Sequence, residues 1–325
     1  HAEWIGEVSM CTFSGSARYD SKPCRAFRGE VEADDLLGKL LGGSRFTSLM
    51  GIGGRPAEVC GEDGSLCRAA IKSAWQLTQE ATEQYYDRST DCEFTAFHGW
   101  EYSDSPMMSK VHRNVIFRNE LVPEIPISSA EQSSPLELWE KLDKLCNQTG
   151  TGCEALTIPH NPNVSNGRMF VVPYRGEELE EQQRQASLRA RMEPLVEMMQ
   201  IKGESECKAG MWQVFGEDEL CNFEKMRGMS QKPVEDCEDD YSWGAIRGMG
   251  CQSRLDFARY ALIEGLVEQD RIGINPYRFG MIGSTDNHNA APGDVEEDNF
   301  RGCCANTDTT VVERLENKAQ FAGSG

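Results

Sequence analysis

The chain has 325 residues and is strongly acidic, with 53 Asp and Glu against 33 Lys and Arg and a formal net charge of −20 at pH 7. Because contacts with nucleic acid or anionic membranes need cationic surface, this charge argues against both as partners. Hydrophobic residues make up 39% of the chain. No run of about 18 apolar residues is present, so we expect no transmembrane helix.

The periodicity of apolar residues predicts helices that alternate with strands. In chain order we expect helices over 26–41 and 65–86, strands over 93–102 and 113–117, a helix over 134–146, a strand over 155–159, a helix over 177–192, a strand over 195–201, a helix over 254–269 and a buried strand from 278 onward. Ser134 with Glu137 three residues later forms a capping-box start for the fifth of these helices and strands. This alternation predicts a largely parallel sheet within one α/β domain that comprises residues 1–325.

Thirteen cysteines are present, and six of them bracket short loops as the pairs Cys11 and Cys24, Cys60 and Cys67, and Cys146 and Cys153. None of these pairs has the C-x-x-C spacing of a zinc ribbon. We therefore expect three local disulfides and a periplasmic or secreted protein. The odd total leaves at least one thiol free or paired outside the chain.

Residues 203–251 interrupt the alternation of helices and strands. This stretch is acidic, has few aliphatic residues, and contains Cys207, Cys221, Cys237 and Cys251. Such a stretch is more typical of a disulfide-linked insertion over a site than of a hydrophobic core.

The segment Ser-Thr-Asp-Asn-His after the last predicted strand contains two candidate metal ligands. Asp286 and His288 are two residues apart, so in an extended chain their side chains face the same spot. A carboxylate beside an imidazole is a common ligand pair for Zn²⁺, Mn²⁺ or Fe. The alternative is that the segment is only a polar turn.

Three further candidates lie at the ends of predicted strands, where α/β folds collect their active sites. Glu101 ends the strand 93–102, His112 precedes the strand 113–117, and His160 follows the strand 155–159. Each has a structural alternative: a salt-bridged carboxylate, a surface histidine and a capping histidine, respectively. His98 lies three residues before Glu101 and faces the opposite side of an extended chain, so we expect it to be structural.

Several motifs in series resemble those of a known family. They are FTAFHGWEY at 94–102, HRNVIFR at 112–118, IPHNPNVSNG at 158–167, QIKGESE at 200–206 and GMIGSTDNH at 280–288. With them the chain resembles the large bacterial domain-of-unknown-function family 3604, of the PHP (polymerase and histidinol phosphatase) superfamily of metal-dependent phosphoesterases. The resemblance implies a distorted β/α barrel with divalent metal ions, Zn, Mn or Fe, at the C-terminal ends of its strands.

The resemblance also implies a set of metal ligands, namely His1, Glu101, His112, His160, Asp286 and His288. The first His-x-His motif of the superfamily and the aspartate before His1 are absent. We therefore expect a barrel that is incomplete at the N-terminus, with partial metal occupancy. Arg113 and Arg168 lie close in sequence to His112 and His160, so either could bind an anionic substrate; the alternative is that they are exposed arginines with surface partners.

These observations favour a metal-dependent hydrolase, in particular a phosphoesterase that acts on a small phosphorylated substrate through a metal-activated water. The alternative is a non-catalytic barrel fragment or binding domain with an incomplete metal centre.

Overall fold

The computed structural model describes residues 4–31, 55–209, 218–222, 225–226 and 243–287. They form a mixed α/β fold with two three-stranded sheets. The described strands do not close a barrel. The chain divides into two compact units, residues 1–103 with 114–156, and residues 104–113 with 157–325. The predictions for His1, for His288 and for most of the predicted insertion concern residues outside the described ones.

The helices are Ile5–Thr12 (α1), Lys22–Arg28 (α2), Ala57–Cys60 (α3), Ser65–Tyr85 (α4), Pro135–Leu142 (α5), Leu179–Met192 (α6) and Ala258–Ile272 (α7). The strands are Gly99–Tyr102 (β1), Arg113–Phe117 (β2), Ala155–Pro159 (β3), Leu195–Gln200 (β4), Gly203–Glu204 (β5) and Gly280–Gly283 (β6).

Two predicted boundaries are wrong. The predicted helix 26–41 is interrupted after α2 at Arg28, because Gly29 adopts φ +78° and caps the helix in the left-handed region; residues 32–41 of this prediction lie outside the described residues. The predicted strand 93–102 begins only at Gly99, so β1 comprises its last four residues. The capping start at Ser134 is confirmed, since the Ser134 side chain accepts a hydrogen bond from the Glu137 N–H.

The first sheet has the order β1-β2-β3, and the hydrogen bonds between β1 and β2 make these strands antiparallel. The Phe117 N–H donates to the His98 carbonyl at 2.9 Å, and the Val111 N–H donates to the Asp104 carbonyl at 3.1 Å. Residues at the start of β2 thus pair with residues after the end of β1, as only antiparallel strands allow. The prediction of a largely parallel sheet is therefore wrong here, because the short connection between β1 and β2 cannot contain a crossover helix.

Strands β2 and β3 are antiparallel as well. The Arg118 N–H donates to the Glu154 carbonyl, and the His160 N–H donates to the His112 carbonyl, both at 3.1 Å. The start of the middle strand therefore meets the ends of both outer strands at one edge of the sheet.

The second sheet has the order β5-β4-β6. Strands β4 and β6 are parallel, as the sequence predicts, whereas β5 is antiparallel to β4. The prediction that β6 is buried is wrong, since Met281 is 52% exposed. Behind this sheet, Phe170, Tyr277 and Phe279 form an aromatic cluster with Val196 of β4 and with α7.

In the first unit, α4 packs on the first sheet through a buried indole. Trp75 lies edge-on to Trp100 of β1, with 5.5 Å between ring centroids, and Trp100 contacts Phe117 of β2 at 5.2 Å. The Trp75 Nε1–H donates to the Pro123 carbonyl, so its polar group is satisfied. No helix in the described part of the chain combines the length and the hydropathy needed to span a bilayer.

All three predicted local disulfides are confirmed: Cys11–Cys24, Cys60–Cys67 and Cys146–Cys153, with Cα–Cα distances of 4.6, 4.8 and 4.6 Å. Within the predicted insertion Cys207 pairs with Cys221. Among the described cysteines Cys92 is a free thiol, and it is exposed. The first two bridges pack against each other around Val59, so they supply part of the hydrophobic core of the first unit.

Candidate metal centre

Three of the predicted ligands converge at the edge of the first sheet. Glu101 lies near the end of β1, His112 lies directly before β2, and His160 lies directly after β3. One ligand atom from each lies within 4.8 Å of the other two. The antiparallel order explains this meeting, because the start of β2 lies beside the ends of β1 and β3.

The two imidazole rings are close neighbours. Their centroids are 5.9 Å apart, with an interplanar angle of 59°. His160 is 2% exposed, whereas His112 is half-buried. His112 Nε2 hydrogen-bonds to Ser105 Oγ at 2.7 Å. A hydrogen bond of this kind, made in addition to the bond with the metal, fixes the orientation of a ligating imidazole.

Polar contacts hold the loop after His160 in place. The Asn161 N–H donates to Glu197 Oε2 at 2.9 Å, and the Asn163 amide donates to the Lys202 carbonyl at 2.8 Å. Buried Asp256 accepts hydrogen bonds from Ser165 Oγ at 2.6 Å and from the Gly167 N–H at 2.7 Å. The loop is therefore tied to the β4–β5 connection and to the segment before α7, which determines where His160 lies.

Asp286 follows β6 by three residues and adopts φ +52°. Its Oδ2 accepts a hydrogen bond from Lys202 Nζ and lies 3.8 Å from Lys110 Nζ. Burial raises the pKa of Asp286, but the charges of Lys110, Lys202 and His160 outweigh it and hold the pKa below its usual range. Asp286 is thus an ionised carboxylate in an electropositive environment that includes His160.

The structure gives Arg113 a buried carboxylate partner. Arg113 is 1% exposed, and its Nε donates to Glu193 Oε1 at 2.5 Å. Glu193 also accepts from Arg189 Nε at 3.0 Å. Arg168 is half-buried in the loop after His160. Substrate binding by either arginine stays a prediction, and the contacts of Arg113 favour a structural role.

His98 pairs with another residue of the first unit, as expected for a structural histidine. It is 3% exposed, and its Nε2 hydrogen-bonds to Glu83 Oε1 at 2.7 Å. Glu83 also accepts from Arg88.

Sequence reasoning missed Asp104, Lys110 and Lys202. Burial raises the pKa of Asp104 to about 6, although the charge of Arg113 and a hydrogen bond from the Ser105 backbone lower it. Asp104 adjoins Ser105, the partner of His112. Lys202 lies in the QIKG motif, two residues after the end of β4, so its position close to a strand end was a signal in the sequence.

The donor set fits a divalent metal. Two imidazoles and a carboxylate are ligands that Zn²⁺, Mn²⁺ and Fe accept. Two other groups of ligand-type side chains in the described residues contain Cys60 with Cys67, and Cys207 with Cys221. Their sulfurs form disulfides, so thiolate ligation is not available there.

These features define a mixed α/β protein with a candidate centre for a divalent metal at a sheet edge. The chain belongs to the family described as protein of unknown function DUF3604, which it matches over residues 1–323. Neither a curated protein nor a solved structure matches the chain significantly. The match establishes the family of the chain but assigns no activity to it.

Proposed function

We propose that this protein is a metal-dependent hydrolase that acts on a phosphoester. The observation that carries the proposal is the meeting of Glu101, His112 and His160, whose ligand atoms lie within 4.8 Å of one another. These three side chains would hold the ion. A bound divalent ion supplies Lewis acidity, which polarises a phosphoryl oxygen and lowers the pKa of water.

The chain contributes further groups to this chemistry. Ser105 fixes the His112 ring through its hydrogen bond. Asp104, with a pKa of about 6, can give or take a proton near neutral pH, as a general acid or base requires. Its sequence position next to Ser105 supports a role in this region.

We also propose that the family belongs to the PHP superfamily and that the described strands are parts of its distorted barrel. The motifs around Glu101, His112 and His160 support this proposal. The four disulfides between described cysteines support a periplasmic or secreted location, since such bonds persist in oxidising compartments.

One observation favours the alternative function, a binding domain with an incomplete metal centre. Asp286 is paired with Lys202 and lies outside the group formed by the other three ligand atoms. In that case the chain binds a metal ion or an anion without hydrolysing a substrate.

Hydrolysis of p-nitrophenyl phosphate and bis-p-nitrophenyl phosphate tests the proposal. The chelator-treated protein is assayed alone and after addition of Mn²⁺, Zn²⁺ or Fe²⁺. We expect activity that requires metal, is lost in H160A and is retained in H98A, since both histidines are buried but only His160 lies in the ligand group. Metal binding without turnover would favour the binding domain, and equal activity in H160A and wild type would contradict the proposed centre.

A further inference from the structure

Two buried lysines converge on one oxygen atom beside His160. Lys110 is 3% exposed and Lys202 is 8% exposed. Lys202 Nζ donates to Asp286 Oδ2, and Lys110 Nζ lies 3.8 Å from the same atom. Placing ammonium groups in a protein interior costs free energy, which an anion between them offsets.

The surroundings keep Lys202 directed at this point. Its Nζ donates to Gln200 Oε1 at 3.1 Å. Gln200 in turn donates to Glu197 Oε2 at 2.9 Å. The carboxylate of Glu197 accepts hydrogen bonds from the Asn161 N–H and from Ser284 Oγ, so its position is fixed by the loop after β3 and by the residue after β6.

The two ammonium groups lie on the same oxygen atom of Asp286, so they stabilise negative charge at this position against the cost of burial. A phosphoryl oxygen carries negative charge and accepts hydrogen bonds from ammonium groups, as a carboxylate oxygen does.

We propose that Lys110 and Lys202 form the anion-binding part of the site and hold the phosphoryl group of a substrate, with Asp286 in contact with them when no substrate is bound. The inference rests on the proposed function in taking this anion to be part of the hydrolysed phosphoester. It assigns anion binding to two lysines beside His160, whereas Arg113 is already paired with Glu193.

Binding of inorganic phosphate in EDTA buffer tests this assignment without metal. Asp286→Asn removes the carboxylate that competes for the two ammonium groups. We expect D286N to bind phosphate roughly tenfold more tightly than wild type by calorimetry, on the scale of one charge-assisted hydrogen bond. Adding Lys202→Met to D286N should return the Kd to the wild-type value or weaker.

Lys208→Met in the D286N background is the matched control. Lys208 is also buried, at 7% exposure, but its Nζ bonds the neutral Gln252. Its loss should leave the phosphate Kd unchanged. Thermal melting checks that each variant folds, and D286N combined with Lys110→Met replaces the K202M double variant if that variant does not fold.

The two proposals fail separately. Equal phosphate Kd values for D286N and for its lysine double variants would overturn the anion site, even if wild type hydrolyses phosphoesters. Phosphate affinity that depends on the lysines, in a protein without metal-dependent turnover, would support the anion site and overturn the proposed hydrolase.

Discussion

Replacing Arg113 with Met separates a structural role from a substrate-binding role for this residue. Arg113 and Glu193 are 1% and 2% exposed, and their Nε–Oε1 distance is 2.5 Å. Removal of one partner from a buried ion pair costs about 3–5 kcal/mol, because the other charge stays in the interior. Arg189 still contacts Glu193 at 3.0 Å, so we expect a loss at the lower end, about 3 kcal/mol.

Urea denaturation followed by circular dichroism measures the loss. Arg118→Met is the matched control, because Arg118 follows the same strand and pairs with Glu154 at 2.8 Å, but with side-chain exposures of 72% and 55%. Exposed pairs contribute about 1 kcal/mol or less, so R118M should lie close to wild type. If R113M loses no more unfolding free energy than R118M, the structural role of Arg113 is refuted. A raised KM at unchanged stability would instead support a substrate-binding role for Arg113.

The remaining predictions concern pH and a disulfide. The folded-state pKa of Asp104, about 6, is above its ordinary value of 3.8, so its contribution favours folding below the unfolded pKa and is lost as pH rises through about 6. D104N should therefore be more stable than wild type at pH 8, by at most about 3 kcal/mol at 1.36 kcal/mol per pKa unit, and equally stable at pH 3. The midpoints of urea denaturation across this pH range measure the difference in stability. A difference that grows toward low pH would contradict the prediction. Replacing Cys11 and Cys24 with Ser should cost about 3 kcal/mol, as expected for a loop of this length, whereas C92S should cost little because that thiol is free and exposed. Thermal melts of both variants test this, and equal melting temperatures would contradict it.

Local signals in the sequence predicted much of the structure. The strands 113–117 and 155–159 have the predicted bounds, since each is a short run that contains β-branched residues and is flanked by polar residues. Cysteine spacing also predicted the three local disulfides, because the two ends of a short loop lie close together whatever the rest of the fold is.

Strand direction could not be predicted in the same way. Antiparallel pairing of β1 with β2 depends on a connection that turns back within ten residues after Tyr102. The aromatic run before Tyr102 does not indicate this turn. The convergence of Glu101, His112 and His160 was predicted at parallel strand ends, yet it arises from antiparallel neighbours. Lys110 was missed because nothing in its local sequence indicates that its ammonium group lies near Asp286, more than 170 residues away in the chain.

Metal binding by matched histidine variants tests the central claim most directly. Wild type, H112A, H160A and H98A are dialysed against equal free Mn²⁺ or Zn²⁺, and bound metal is measured by mass spectrometry. We expect wild type and H98A to bind equally, and H112A and H160A to bind at least roughly tenfold more weakly, since affinity depends on ligand number and geometry. Equal metal content in all four proteins, or none in wild type, would contradict a centre held by Glu101, His112 and His160.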